Sequence, residues 1–436
     1  MKKTILTCIT AFMAFPLFAQ YTGEGFYRVH NKGYASRYIA IANDKISEET
    51  KHISLGSGYN QKLDIEALAT VLNAESNPAT ILYIKGDASN GLILETQGQN
   101  TQDLINRSGK NLQLMYNNGY LYSKYDGMQV YLADDQWDED NNKESGKNIY
   151  YDSCAKIITN NARTSPYDWG NYPDYVNWEF KKIDNVNEYL GINPNEGISV
   201  DGKYYTTLYT SFAYQLSDGM KAYYIDQHIY DTNHVQEPIA ELKEITGGKV
   251  PGGTPVILEL SSNKASDNKV MPLNESITKI QGNELAGRYF CFILLKGHGI
   301  YENENTTGKE LKNALEFDKN TMRVLGVKDG KLAMVTENDK AFTKTRKEGN
   351  TTKYYYYMPA NKAYLPIKKT ESSATNITLL RPDEYEVALS ISKVTTEKST
   401  KPGIYTLTGV KVKEDNNTSE LPSGIYIIDG KKQVIK

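Results

Sequence analysis

The sequence predicts an all-β protein with several domains. Short runs of alternating or apolar residues recur along the chain, and clusters of Gly, Asn and Asp separate them, which is typical of antiparallel strands joined by tight turns. The chain has 436 residues, enough for two or three domains. Hydrophobic residues make up 39% and charged residues 24%, so neither a wholly disordered chain nor a protein with many membrane spans is expected. These observations predict the fold class and leave the function open.

Residues 1–19 are predicted to be a secretory signal peptide. Lys2 and Lys3 form a basic start, an apolar stretch follows through Phe18, and Ala19 precedes the expected cleavage point. The apolar stretch is shorter than the roughly 20 residues that a helix needs to cross a membrane, which disfavours an anchor. We therefore expect a secreted or outer-surface location and no transmembrane span in the mature chain.

The mature chain is predicted to be mildly acidic. Removal of residues 1–19 leaves 48 basic and 53 acidic residues, a net charge of −5. Nucleic acid is not an expected partner, because the sequence has no basic stripe to neutralise phosphates. Two cysteines remain, Cys154 and Cys291. We favour two buried free thiols over a disulfide between them, and neither has the neighbouring ligands that a cysteine metal site needs.

Residues 20–184 are predicted to form a first domain, a trefoil-like or barrel-like β unit. Strands are expected at residues 26–30, 38–41, 80–84, 92–96, 112–116, 120–123, 130–133 and 178–183. Trp178, in the last of these strands, is predicted to be buried. Residues 64–74 are predicted to be a helix, because Ile65, Leu68 and Val71 fall on one helical face behind a possible Asp64 cap.

Two stretches of this region carry a family resemblance. GFYRVHNKGYASRYIAI resembles the opening of a ricin-like β-trefoil unit, and VNWEFKKID resembles the closing tryptophan strand of such a unit. The resemblance covers residues 25–183 and implies a trefoil fold for the first domain. The region is also similar to the N-terminal parts of secreted proteins of the Bacteroidetes type.

Residues 185–391 are predicted to form a β-sandwich. KYYTTLYTSFAYQLSDGMKAYYID and ELKEITGGKVPGGTPVILEL alternate apolar strands with Asp-Gly and Pro-Gly turns. Residues 250–258 and 358–365 each place a proline before an apolar strand, which indicates an internal duplication. A helix is expected around residues 309–317. The order of these strands resembles a module of surface and secreted Bacteroidetes-type proteins.

The C-terminal part is predicted to be a linker followed by a small β module. Residues 392–402 are rich in Ser, Thr and Lys and read as the linker. Residues 403–436 contain Gly-Ile-Tyr twice and a basic Gly-Lys-Lys near the end, and they resemble the end of a type IX secretion C-terminal sorting domain. The resemblance implies export or surface attachment, with the outer-membrane secretion machinery as a partner. A related β module without sorting activity is the alternative.

The motifs of common enzymes are absent from the sequence. HExxH, GxSxG, GxGxxG and the phosphate-binding GxxxxGK[ST] do not occur, and the five histidines lack the spacing of metal ligands. In the acidic loop 134–142, Asp138, Asp140 and Asn142 stand at alternate positions, which resembles the start of a calcium loop. Lys143 stands at the sixth position, where the loop needs glycine, so a solvated acidic loop is favoured. No catalytic residue, metal site or cofactor is predicted.

Aromatic residues in polar segments are the predicted ligand contacts. The apolar face of a sugar ring can lie on Trp or Tyr while Asp and Asn bind its hydroxyls. Trp137 lies among acidic residues, and Tyr167, Trp169 and Tyr172 lie in the turn-rich segment SPYDWGNYPDY. Packing of these rings across a long loop is the structural alternative.

The sequence therefore favours a non-enzymatic binding protein at or beyond the outer membrane, with a glycan or a surface protein as partner. A secreted carbohydrate-active hydrolase that uses an Asp/Glu pair is one alternative, because two carboxylates at the correct separation are sufficient for that chemistry. A structural or assembly component of the cell surface is the other alternative, and an exposed edge strand would favour it.

Overall fold

The structure is a computed structural model, and it describes part of the chain. The described residues are 20–32, 38–41, 53–54, 62–63, 68–71, 76–96, 99–100, 113–124, 130–132, 155–157, 177–229, 237–289, 315, 317–336, 343–347, 353–396, 403–428 and 431–435. Within these ranges there are 33 strands and one α-helix, which confirms the all-β class. The predicted signal peptide and the predicted helix at residues 309–317 lie outside the described residues, apart from Leu315 and Phe317.

The first 13 strands lie in the predicted first domain. They are β1 (Gly25–Asn31), β2 (Tyr38–Ile41), β3 (Ile53–Ser54), β4 (Lys62–Leu63), β5 (Leu68–Val71), β6 (Leu82–Asp87), β7 (Gly91–Thr96), β8 (Gln99–Asn100), β9 (Leu114–Asn117), β10 (Tyr120–Ser123), β11 (Val130–Leu132), β12 (Ala155–Ile157) and β13 (Trp178–Lys182). Every strand predicted for this region is present within a few residues of its expected bounds.

Nine of these strands form one sheet around an apolar core. The order is β10-β9-β7-β6-β1-β2-β5, with β13 paired to β1 and β8 paired to β7. Strand β1 therefore pairs with the last strand of the region as well as with β6 and β2. The alternating residues of these strands meet in the core, where Trp178 is fully buried as predicted, with Phe180 and Tyr116 beside it.

The predicted helix at residues 64–74 is wrong at Leu68–Val71, the part of it that the structure describes. The structure has β4 at Lys62–Leu63 and β5 at Leu68–Val71, and β5 pairs antiparallel with β2 over four residues. The spacing of Leu68 and Val71 fits a helix face, but Thr70 and Val71 are β-branched and favour a strand. Pairing with β2, which lies about 30 residues earlier in the chain, makes this segment a strand and not a helix.

The next strands belong to the predicted second domain. They are β14 (Leu190–Gly191), β15 (Ser199–Val200), β16 (Lys203–Leu208), β17 (Ala213–Leu216), β18 (Lys221–Ile229), β19 (Ile239–Glu244), β20 (Lys249–Val250), β21 (Val256–Leu260), β22 (Lys269–Leu273), β23 (Ala286–Arg288), β24 (Met322–Lys328), β25 (Lys331–Val335), β26 (Thr343–Lys347), β27 (Lys353–Tyr357), β28 (Lys362–Pro366) and β29 (Asn376–Leu380).

Two sheets pack face to face in this region. A four-stranded sheet has the order β14-β22-β17-β20, and a ten-stranded sheet has the order β15-β16-β21-β18-β19-β29-β25-β24-β28-β23. Strand β21 is buried along its whole length, because Val256 and Leu258 face the smaller sheet while Ile257 faces the remaining strands of the larger one. Such an apolar run is the expected sequence of a strand covered on both faces.

Tight turns join several of the hairpins as the sequence predicts. Asn118 and Gly119 connect β9 to β10, and Asp329 and Gly330 connect β24 to β25, each pair with positive φ at both positions. This is the geometry of a two-residue type I′ turn, for which Asn-Gly and Asp-Gly are the preferred pairs. The turns fix the register of their strands locally.

One α-helix, α1 (Pro382–Thr396), follows β29 and packs against β19 and β29. Tyr385 is its fully buried contact, and Ala388 and Leu389 pack beside it. The helix extends through the first five residues of the predicted linker, so residues 392–396 are helical. Proline at the first position and two acids in the first turn favour this helix start.

The C-terminal module, residues 403–435 of the chain, is a four-stranded antiparallel sheet. Its strands are β30 (Ile404–Thr406), β31 (Lys411–Lys413), β32 (Gly424–Ile428) and β33 (Lys431–Ile435) in the order β31-β30-β32-β33. Ile404, Tyr426 and Ile428 form a small core on one face. The two Gly-Ile-Tyr motifs therefore lie on neighbouring central strands.

Candidate functional site

The residues predicted to contact a ligand are not among those that the structure describes. Trp137, Trp169, Tyr172 and Tyr167 all lie outside the described residues, as do Cys154, Cys291 and the acidic loop. Their role remains a prediction from the sequence. Three other places in the described part bring chemically useful side chains together.

The first place is a pair of stacked tyrosines in the second domain. The rings of Tyr209 and Tyr289 lie 4.3 Å apart at 19°, and both residues are half-buried. Tyr209 follows β16 and Tyr289 follows β23, so the chain reaches this place from two distant strands. Burial is the main cause that raises the pKa of the Tyr289 hydroxyl, and its hydrogen bond with Tyr209 raises the pKa further.

The stacked pair depends on close packing against the backbone. The ring of Tyr209 lies directly on Gly287, where any Cβ would collide with it. Asn361 holds the same segment: its backbone oxygen accepts from the Tyr209 N–H at 2.9 Å, and its Nδ2 donates to the Tyr209 carbonyl at 3.0 Å. The Oδ1 atom of Asn361 is buried and has no hydrogen-bond partner among the described residues. An aromatic face and an amide oxygen therefore lie in one place.

The second place is a buried carboxylate surrounded by hydroxyl and basic groups. Glu259 Oε2 accepts from Tyr205 at 3.2 Å and from Tyr223 at 3.4 Å, and it pairs with Arg381 Nη2 at 2.9 Å. The Arg381 guanidinium also lies 4.0 Å from the centre of the Tyr223 ring. Burial raises the pKa of Tyr205 and of Tyr223 to about 12, so both hydroxyls stay protonated and donate.

This carboxylate network connects α1 to the sheet. Arg381 directly precedes α1, and its backbone N–H donates to Glu384 Oε2 at 3.0 Å at the start of the helix. The charge of Glu259 is compensated by Arg381 and its oxygen is occupied by two hydroxyls. A stabilising role for the network follows from these contacts.

A group of acids lies near His228 in the second domain. Glu284 pairs with His228, and Asp226 pairs with Lys243 Nζ at 2.6 Å. Glu241 accepts from Gln227 at 2.7 Å. Each acid thus has a hydrogen-bond donor. Within the described part of the chain, no group of three or more His, Cys, Asp and Glu residues is arranged to hold a metal ion.

The third place is the outer surface of the C-terminal module. Five of the seven large apolar side chains that are exposed in the described ranges lie in this module, namely Leu407, Val410, Val412, Ile425 and Val434. Val434 is 65% exposed and Val410 is 61% exposed. Ile425 and Val434 pair directly across β32 and β33, so they share one face, opposite to the small core. Apolar groups grouped in this way mark a contact surface.

The edge of this sheet adds backbone and charge to the apolar groups. Strand β33 forms one edge of the sheet, and its Lys431 and Lys432 are exposed. An edge strand carries N–H and C=O groups that can pair with another strand. We call the exposed apolar residues and the β33 edge the C-terminal surface.

Comparisons with known proteins leave the chain without a family. No family model and no curated protein matches the sequence. Structure comparison aligns the chain with a mosquitocidal holotoxin at 10% sequence identity and a TM-score of 0.22. The alignment covers 80% of this chain and 35% of the holotoxin chain, so this chain spans about a third of that length. A TM-score this low carries no argument about fold or function.

The described residues contain no helix of the length and apolar character needed to cross a bilayer.

Proposed function

We propose that this protein is secreted or held at the cell surface and acts by binding, without catalysis. The observation that carries the proposal is the concentration of exposed apolar side chains on the C-terminal surface. Exposure of grouped apolar side chains to water is unfavourable, and burial of these side chains against a partner lowers the free energy of the complex. In this proposal the C-terminal module attaches the chain to a surface protein, and the larger domains bind the ligand.

Export from the cell suits this binding role. The basic and apolar residues at positions 1–19 support a signal peptide, and the resemblance of residues 403–436 to a sorting domain supports the outer-membrane secretion machinery as the docking partner. The edge strand β33 and the paired Ile425 and Val434 offer that partner both backbone groups and an apolar face.

Changing the apolar face to a charged one tests the attachment. We expect the double variant Ile425→Asp/Val434→Asp to keep its fold, because both side chains are exposed, and to lose surface display severalfold, because the charges cannot be desolvated at the interface. The measurement is the fraction of full-length chain that protease removes from intact producing cells.

The matched control adds the same two charges elsewhere in the module. Thr418→Asp/Ser423→Asp changes two exposed polar positions and is expected to be displayed like the parent chain. Equal display of the two double variants would contradict the role of the C-terminal surface.

For the ligand we propose a glycan that stacks on aromatic rings. The half-buried stacked rings of Tyr209 and Tyr289 support this chemistry in the second domain. Trp137, Trp169, Tyr172 and Tyr167, which lie outside the described residues, are the candidates in the first domain. Tyrosine and tryptophan suit such a site because their rings are apolar while their tips bind polar groups.

Glycan-array binding of the mature chain tests the ligand class. We expect Trp137→Ala, Trp169→Ala or Tyr209→Ala to weaken binding of the best glycan about tenfold for the ring that contacts it. Tyr209→Phe keeps the ring and is the matched control for the second domain. Absence of binding to every glycan, or binding that none of the three alanine variants changes, would contradict a glycan ligand while leaving attachment through the C-terminal surface intact.

For the first domain we propose a β-trefoil. Pairing of β1 with the last strand β13 as well as with β6 supports closure of the region on itself. The fully buried Trp178 in β13 supports the resemblance of this strand to a closing tryptophan strand.

A further inference from the structure

Three polar side chains from distant parts of the second domain meet at the start of β28. Lys362 Nζ donates to Thr206 Oγ1 at 2.7 Å and to Asn195 Oδ1 at 3.2 Å. Thr206 Oγ1 in turn donates to Asn195 Oδ1 at 2.7 Å. The oxygen of the Asn195 amide therefore accepts from both the amine and the hydroxyl.

The amine of Lys362 lies against uncharged polar groups, and the residue as a whole is half-buried. Thr206 is fully buried, and no described carboxylate makes an ion pair with Lys362. Burial lowers the pKa of Lys362 to about 8, so more of the amine is neutral than for an ordinary lysine. Lys243 shows the usual arrangement, in which a hydrogen bond that the amine donates to Asp226 raises the pKa of the lysine.

A neutral amine next to a carboxamide is a nucleophile next to an electrophile. Lysine with a lowered pKa is a recognised nucleophile in proteins, and contact distances of about 3 to 3.5 Å in a fixed geometry supply much of the barrier reduction. Thr206 donates to the amide oxygen, which is where negative charge would develop during attack. The three residues thus provide nucleophile, electrophile and hydrogen-bond donor.

We propose that Lys362 and Asn195 become joined by an intramolecular isopeptide bond. Nζ of Lys362 attacks Cγ of Asn195 and forms a C–N bond, while the bond from Cγ to Nδ2 breaks and ammonia leaves. The proton lost by Nζ ends on Nδ2, which leaves as ammonia, so atoms and charge balance. The reaction is not a redox step and needs no other reactant.

The bond would join two places that the fold already holds together. Asn195 lies before β15, and Lys362 begins β28 near the other end of the ten-stranded sheet, 167 residues later. The backbone N–H of Ala363 donates to Thr207 Oγ1 at 3.1 Å and the Tyr209 N–H donates to the Asn361 carbonyl at 2.9 Å, so β16 and β28 already adjoin. A covalent link there closes a long loop and disfavours the unfolded chain.

The intact mass of the purified full chain tests the proposal. After folding at pH 8, we expect the predominant species to weigh less than its sequence by the mass of one ammonia molecule, and protease digestion to release one branched peptide that contains both Asn195 and Lys362. A chain with its full sequence mass, whose two peptides separate after digestion, would overturn the proposal. This outcome is read on the parent chain and does not depend on any variant folding.

Variants assign the roles. Lys362→Met and Asn195→Ala each remove one reacting group, and both are expected to keep the full sequence mass. Thr206→Val keeps the shape of the buried side chain and removes the hydroxyl, so we expect the mass loss after refolding to be slower. Thr206→Val that reacts as fast as the parent chain would overturn the role of Thr206, and a branched peptide in Lys362→Met would overturn the identity of the bond.

Discussion

The buried guanidinium of Arg323 is satisfied by backbone carbonyls, two of which are far away in the sequence. Arg323 is fully buried and donates to the carbonyls of Lys319, Met322, Ser372 and Ala374. All four acceptors are backbone carbonyls, so the planar guanidinium donates hydrogen bonds to two separate chain segments at once. The sequence pattern places such a residue in a strand but gives no sign that it is buried, because the acceptors are carbonyls of residues up to 51 positions away.

The turn at Asp184 leads to a prediction about acid stability. Its carboxylate accepts from the backbone N–H groups of Val186, Asn187 and Glu188, and these hydrogen bonds lower the pKa of Asp184 to about 2. The folded pKa lies below the unfolded value of 3.8, so the contribution to stability is complete above pH 4 and is lost as the pH falls through about 2.

We expect Asp184→Asn to lower the free energy of unfolding at pH 6 by less than about 1 kcal/mol, since Asp184 is exposed and its interactions are screened. We expect the difference from the parent chain to shrink as the pH falls to about 2. Urea unfolding at the two pH values measures the effect. Asp218→Asn, at an exposed turn position, is the control, and an equal pH dependence in both variants would refute the assignment.

At the scale of single elements, hairpins with tight turns follow from local sequence. Gly330 has φ of +74° in the β24–β25 turn, and a Cβ there would meet no atom within 4 Å, so only the backbone conformation opposes a side chain. Gly86 has φ of +92°, and a Cβ there would also collide with the Gly91 carbonyl oxygen of the neighbouring strand.

We therefore expect Gly330→Ala to cost about 1 kcal/mol of unfolding free energy and Gly86→Ala to cost clearly more. The first value reflects backbone strain alone, and the second adds displacement of β7. Thermal unfolding of the two variants provides the comparison. Equal costs would show that β6 and β7 move apart without penalty.

Elements that depend on distant contacts could not be predicted in the same way. Residues 64–74 have helical spacing, but pairing with β2 makes Leu68–Val71 a strand. The end of helix α1 was predicted to be a linker, because few side chains of this helix are apolar. The helix is stabilised by packing of Tyr385 against the sheet, which the local sequence does not show. The stacked tyrosines and the Lys362 contacts were missed for the same reason: each joins segments separated by about 80 residues or more.

At the scale of the whole molecule, the first and second predicted domains share a packed junction. The rings of Phe26 and Phe212 lie 5.7 Å apart, edge to face. Ile81 and Ile183 belong to the same apolar core as the small sheet of the second domain. Apolar groups from both sides therefore lie in one core, and the two regions are expected to unfold together.

Arg28 is the polar centre of this junction, and it carries the last prediction. It is 1% exposed, pairs with Glu188, and donates to the Tyr189 carbonyl at 2.6 Å and to Thr80 Oγ1 at 3.0 Å. Arg28→Met would leave a partly buried carboxylate and a carbonyl without their donor, which costs about 3 to 5 kcal/mol. We expect calorimetry to show one transition for this part of the parent chain and two for the variant.

Lys85→Met, which breaks the exposed pair with Glu95, should cost at most about 1 kcal/mol and keep the single transition. A single transition in both variants would mean that the apolar contacts alone couple the two regions.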